Sequence, residues 1–259
     1  TEELNKNNIE LILGRVPYNI NGKKSVNNID LRNSNIENLN HNHQIKSDSV
    51  LLSGGWSPVL HLLSHRGVKP KWDKENLCFI PSEIKEPITV AGSATGVWKT
   101  SDCVASGVAA GLNAAKSVGL KTTDYFFPKI GGWKHPIQPL YEVKYKKNRS
   151  KSFIDYQHDV TCDDIRLAHR EGFISVEHLK RYTTLGMAND QGKMGNIIGL
   201  SLMAELLEKT IPEVGTTVFR PPYTSISIGA LTGRNVGKHF RPLRVTPMHQ
   251  WNLDHGAKM

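Results

Sequence analysis

The stretch 88–118 constrains this chain more than any other. A short run, Ile88-Thr89-Val90-Ala91, leads into Gly92-Ser93-Ala94-Thr95-Gly96. A long helical pattern over 100–118 follows, dotted with Ala105, Gly107, Ala109, Ala110, Gly111, Ala114 and Ala115. Small residues let a helix sit close against a sheet or a ligand. Strand, glycine turn and helix in that order predict a nucleotide-binding α/β fold. An earlier unit repeats the logic. Residues 48–52 read as a short apolar strand and Ser53-Gly54-Gly55-Trp56 as a turn. A short helix over 59–65 follows, with Pro58 near its start.

The rest of the chain divides around these units. Residues 9–16 and 25–31 read as strands joined at a Gly22 turn, and the Asn-rich run 33–44 reads as a solvated loop. Pro128, Gly131, Gly132, Pro136 and Pro139 break regular structure and mark a boundary. Beyond it, 163–171 reads as a helix ended by Gly172. Ser175 is placed to cap a helix over 176–185. Residues 196–210 read as an amphipathic helix with Ile197, Leu200, Met203, Ala204 and Leu207 on one face. Three domains are expected: 1–135, 136–215 and 216–259.

Composition narrows the class of function. Of 259 residues, 38% are hydrophobic and 22% charged, which suits a globular protein with a core. No apolar run reaches the roughly 18 residues of a membrane span, and no secretory leader is read at the start. Thr1 in place of Met hints at a piece of something longer. Cys78, Cys103 and Cys162 show no CxxC spacing, so a reducing, cytoplasmic setting is expected without a disulfide framework or structural zinc. The net charge of +9 is compatible with nucleic acid, anionic cofactors or an acidic partner. The basic run Lys144, Lys146, Lys147, Arg149, Lys151 lacks interleaved aromatics. It reads as a linker or subunit contact rather than a nucleic-acid patch.

Candidate sites are few. The turn at Gly92 can offer backbone N–H groups and a helix dipole to a phosphate. It is not GxGxxG, however, and no acidic residue follows at the ribose-binding distance. Spacing alone leaves both a ligand cradle and an unliganded tight turn open. The Gly54-Gly55 turn carries a weaker version of the same signal. No GxSxG elbow is present. His41 and His43 fit a solvated loop, His158 and His169 with Asp159 and Asp163 fit a helix surface, and Met187 and Met194 fit packing. No catalytic residue and no metal site are expected.

The residues also carry a resemblance. The stretches LLSGGWSPVLHLLSHRGVKPKWD (51–73) and ITVAGSATG (88–96) resemble the nucleotide domain of the alpha chains of the heterotetrameric sarcosine oxidase family. The stretch FIDYQHDVTCDDIRLAHREGFISVEHLKRYTTLGMANDQGK (153–193) resembles that family's helical middle domain. GTTVFRPPYTSISIGAL (215–231) and FRPLRVTPMHQWNLDHGA (240–257) resemble the lead-in to its folate domain. The family's alpha subunits are longer, so an internal fragment is expected.

The resemblance implies oxidation of sarcosine to glycine with hydrogen peroxide formed. The methyl carbon leaves as formaldehyde or on tetrahydrofolate, whose site would lie beyond this chain. FAD and FMN are expected in the complex with beta, gamma and delta subunits, and NAD on the alpha subunit. By position, Gly92, Ser93, Trp98 and Thr100 are the expected NAD contacts. Related dehydrogenase subunits hold a [2Fe–2S] cluster through CxCxxVT and GMGxCQGRxC. Here those four cysteine positions are Asp155, Gln157, Asp190 and Gly195, so no cluster is expected. The retained turn Gln191-Gly192-Lys193 is expected to face the FMN phosphate. Alternatives are a related secondary-amine dehydrogenase of the N-methylglutamate type and a folate-dependent aminomethyltransferase-like protein. A nucleic-acid-binding module built on 144–151 ranks behind both.

Overall fold

The computed structural model describes residues 2–34, 43–123, 137–144, 151–219, 221–234, 236–237 and 244–257. After a short helix α1 (Glu2–Lys6), strands β1 (Arg15–Gly22), β2 (Val26–Asn33) and β3 (His43–Lys46) form an antiparallel sheet in that order. The first strand thus begins where the 9–16 expectation ends. The reason lies in what the hairpin pairs. Asn19 and Asn21 on β1 meet Asn28 and Asp30 on β2, and the Asp30 carboxylate accepts from Asn19, Asn21 and Gln44. This polar ladder fixes a register that apolar alternation does not reveal.

Next come α2 (His61–His65) and a two-stranded hairpin, β4 (Lys71–Asp73) with β5 (Cys78–Ile80). A 3-10 turn over Gly92–Thr95 then leads into α3 (Thr100–Ser117). Helix α3 matches the expected span closely. The strands expected at 48–52 and 88–91 are not formed. A central strand needs a neighbour to take its backbone groups, and no described strand lies beside either stretch. Helix and sheet are both present, as expected, but every described strand pair is antiparallel.

The main core lies in the second half. Strands β6 (Phe153–Asp155) and β7 (Val160–Thr161) pair, and helices α4 (Cys162–Arg170), α5 (Val176–Thr183), α6 (Asn196–Leu206) and α7 (Ile211–Val214) follow. Short helices α8 (Ile228–Thr232) and α9 (His249–Asp254) come last. Helix α4 starts with a capping box. Thr161 Oγ1 accepts from the Asp164 N–H at 3.3 Å, and the Asp164 carboxylate accepts from the Thr161 N–H at 2.8 Å. Ser175 stands at the N-cap of α5 as expected, but its hydroxyl makes no cap bond there.

Ile154, Val160, Ile165, Ala168, Leu179, Leu185, Leu202 and Met203 form one buried cluster. Helix α6 runs through its middle. Six consecutive residues, from Gly199 to Ala204, are buried. The expected one-sided amphipathic helix is therefore a central one, covered on every side along this stretch. Ile197 and Leu207, assigned to the buried face, are only partly covered.

The segment 137–144 is tied onto this core. Glu142, 9% exposed in its side chain, accepts from the Arg166 guanidinium at 2.6 and 2.7 Å, and Arg166 also donates to Asp163. Lys144 pairs with Glu205 on α6. Lys146, Lys147 and Arg149 of the basic run, with His41 of the Asn-rich loop, lie outside the described residues. No helix among the described residues is long and apolar enough to cross a membrane.

Candidate functional site

Two places gather the candidate residues. The first is the glycine turn before α3. The Gly92 N–H donates to Ser106 Oγ at 2.7 Å, and Thr95 Oγ1 donates to the Gly92 carbonyl at 2.7 Å. Ser106 Oγ donates in turn to the Cys103 carbonyl. One turn of α3 thus clamps the glycine turn, and the amide most suited to a phosphate is already occupied. Gly92, at φ +65°, shapes the turn rather than offering its N–H.

Ser93 and Thr100 are exposed, and Trp98 is half-buried. The Trp98 ring lies 6.3 Å from that of Trp56, tilted by 33°. The structure therefore brings the 54–56 turn beside the 92–98 turn. Ser106, which the sequence reading passed over, holds the arrangement. A serine on the α3 face one turn beyond the glycines was the available signal.

The second place is the turn after α5. Asp190 holds it from inside. Its two carboxylate oxygens accept from the Gly192 and Met194 N–H groups, each at 3.3 Å. The Asn196 side chain fills the space beside Gly186 and Gly192, where a Cβ at either glycine would collide with it. Facing this turn, Asp155 Oδ1 accepts from the Gln157 and His158 N–H groups at 2.8 and 3.2 Å. Gln157 Oε1 accepts from the Asn189 N–H at 3.0 Å, joining the two turns. A Cβ on Gly195 would stand 2.8 Å from the Ile154 carbonyl oxygen. Asp155, Gln157, Asp190 and Gly195 are thus brought to two facing turns. The three polar side chains take backbone N–H groups of those turns.

Lys193 lies at the edge of this arrangement. Its ammonium donates to the Asp190 carbonyl at 3.1 Å and to the Tyr223 carbonyl at 2.8 Å, and it sits 3.9 Å from the centre of the Tyr223 ring. His61 of α2 stacks on the same ring at 5.0 Å, and His65 meets His61 edge-on at 5.7 Å. His61 Nδ1 is enclosed and makes no hydrogen bond. Burial first, then the nearby His65 and Lys193 charges, holds His61 below the usual imidazole range. Burial and the Asp190 charge push the Tyr223 phenol up. Neither His61 nor Tyr223 was singled out from the sequence. The cavity here, about 40 Å³, is lined by residues including Ser57, Leu60, Lys193, Asn196 and Tyr223. It has room for ordered water rather than for a dinucleotide.

The thiols of Cys78 and Cys162 are unreactive by placement. Burial, followed by Glu142 nearby, pushes Cys162 up to about 12, and burial followed by Asp73 pushes Cys78 up to about 11. Among the described residues, no group of three or more His, Cys, Asp or Glu side chains converges as metal ligands.

Residues 149–234 match the family described as the sarcosine oxidase A3 domain. The chain is 40% identical over 216 residues to the alpha subunit of sarcosine oxidase from Rhizobium meliloti, covering 82% of this chain and 22% of that protein. It is 36% identical over 226 residues to the corresponding subunit of a Corynebacterium species (strain P-1), covering 85% of this chain and 23% of that protein. One of the two kinds of chain in an opine oxidase from Rhizobium meliloti is 24% identical over 211 residues, covering 72% of this chain and 44% of that protein. This chain therefore spans under a quarter of the two sarcosine oxidase relatives. Its fold is similar to that of an L-proline dehydrogenase from P. horikoshii, with a TM-score of 0.63 at 20% identity over 89% of this chain and 47% of that one.

Proposed function

We propose that this chain, which belongs to the sarcosine oxidase alpha-subunit family, works inside an amine-oxidising complex as a holder of cofactors and partner subunits. The match of 149–234 to the A3 domain, joined to the 40% identity over most of the chain, carries this reading. In it, the complex oxidises sarcosine to glycine and reduces oxygen to hydrogen peroxide. The methyl carbon leaves as formaldehyde or passes to tetrahydrofolate bound elsewhere. FAD and FMN supply the electron transfer, and the beta subunit carries the reacting centre. Gamma and delta subunits complete the assembly, which works in the cytoplasm. The three free cysteines suit that compartment.

Each cofactor has a place where this chain's residues fit it. For NAD, Ser93 and Thr100 offer exposed hydroxyls and Trp98 an aromatic face, while Gly92 gives the turn its shape. For the flavin phosphate, the turn Gln191-Gly192-Lys193 fits at its edge. Lys193 uses two ammonium hydrogens internally and keeps a third. Asp190 takes turn amides that would otherwise face a bound group, which favours this family over relatives with an iron–sulfur cluster.

A second reading draws on the opine oxidase similarity, since opines are also secondary amines. The purified complex separates the two. Extraction should release FAD, FMN and NAD without iron or sulfide, and turnover should be faster with sarcosine than with an opine or N-methylglutamate. Iron and sulfide in the extract would overturn the reading of Asp155, Gln157, Asp190 and Gly195. Unchanged FMN retention in Lys193→Ala would remove Lys193 from the flavin site.

A further inference from the structure

We propose that Trp56 is a stacking platform for a planar heteroaromatic ring of a nucleotide bound beside the glycine turn. The proposal rests on the NAD reading above and adds a residue that the resemblance did not supply. Trp56 is 74% exposed, an unusual state for an indole. It is not loose, since its ring is propped 6.3 Å from Trp98 at 33°. Two indoles side by side offer a broad, electron-rich face to a flat ring.

The approach to that face is open. A Cβ on Gly54 or Gly55 would meet no atom within 4 Å, so the backbone leading into Trp56 leaves room for a ligand. Ser93 and Thr100, on either side of Trp98 in sequence, bring exposed hydroxyls to the same neighbourhood. Those groups can take ribose hydroxyls or a phosphate edge while the ring stacks. Asp102 in the first turn of α3 is a negative charge there, and Lys99 lies 3.9 Å from it as its counter-charge. The ring could come from either half of a dinucleotide, adenine or nicotinamide, and the chemistry of stacking is shared. Leu51 and Leu52 are also exposed nearby in the chain, so the competing occupant is a protein surface.

The test uses the assembled complex carrying the full-length alpha chain, stripped of nucleotide. The probes are NAD, ADP-ribose and nicotinamide mononucleotide, measured by calorimetry. Loss of one base-stacking contact is worth roughly tenfold in affinity. Trp56→Ala should therefore bind NAD about tenfold more weakly, and Trp56→Phe should recover much of it. Trp251→Ala, removing an exposed indole that stacks on His255 instead, should match the wild type. A loss shared by ADP-ribose assigns the ring to adenine, and one shared by nicotinamide mononucleotide assigns it to nicotinamide. Either supports the platform. Equal NAD affinity in Trp56→Ala overturns the proposal and leaves the glycine-turn reading standing. A complex that dissociates in Trp56→Ala while its NAD affinity is unchanged makes Trp56 a protein contact and also overturns it. A wild-type complex that takes up no NAD overturns both.

Discussion

Helices α3 and α6 carry opposite solutions to the same problem. Helix α6 has 11 residues, and six of them in a row are buried. Helix α3 has 18 residues, and none is buried. The shorter helix is rich in Ile, Leu and Met and packs against α4 and α7. The longer one is rich in Ala, Gly and Ser and is pinned through Ser106 to a single turn. Apolar bulk gives a helix its own core, whereas small residues give it a surface that another body can approach closely. The A3 region therefore folds around itself, and the glycine-turn region presents itself.

Truncating a core side chain tests that contrast most strongly. Met203 is fully buried in the cluster around α6. Met203→Ala should cost about 2–5 kcal/mol, the usual range for such a cavity. Val104 on α3 is 42% exposed, so Val104→Ala should stay within about 1 kcal/mol. Urea unfolding of the two variants checks the pair. Similar losses would mean that α3 has a core contribution the described residues do not display.

The clamp between segment 137–144 and α4 comes next in size. Arg166→Ala leaves the Glu142 carboxylate largely buried without its charge partner. A cost of about 2 kcal/mol is expected, as for other charged hydrogen-bonded groups. The variant Glu142→Gln keeps the shape and loses the charge, and should cost less. Limited proteolysis within 137–144 should speed up in Arg166→Ala. Equal cutting rates in wild type and variant would detach this segment from the A3 region.

What could be read in advance follows from how local each cause is. Helices α3, α4 and α5 were legible because their signals sit within one turn of sequence: small-residue spacing, the Thr161–Asp164 box, Ser175 ahead of Val176. The strands at 48–52 and 88–91 were misread because a short apolar run does not say whether a neighbouring strand exists. The hairpin of β1 and β2 began later than expected because an Asn–Asp ladder, not alternation, sets its register. At the sites, the turn 190–195 was found from its glycine and lysine. Its partners His61 and Tyr223 lie 132 and 30 residues from Lys193, counting 193 − 61 and 223 − 193, and were invisible to any local pattern.

The contact joining α2 to the Tyr223 segment gives the smallest effect and the sharpest readout. His61 lies between His65 and Lys193, with its ring on Tyr223 and its Nδ1 enclosed without a partner. The charged group Asp190 faces Tyr223 rather than offering His61 a hydrogen bond. The folded state therefore resists protonating His61, while the unfolded chain protonates it in the ordinary imidazole range. A folded-state value held down means that full stability is present above the unfolded value. It is lost as pH falls through that range toward the folded value. Wild-type stability should drop between about pH 8 and about pH 5.5 by more than that of His61→Phe, which keeps the stack and removes the proton site. Identical slopes in urea unfolding across that interval would show that His61 is solvated in the folded protein. The link between α2 and the A3 region would then rest on Lys193 and Tyr223 alone.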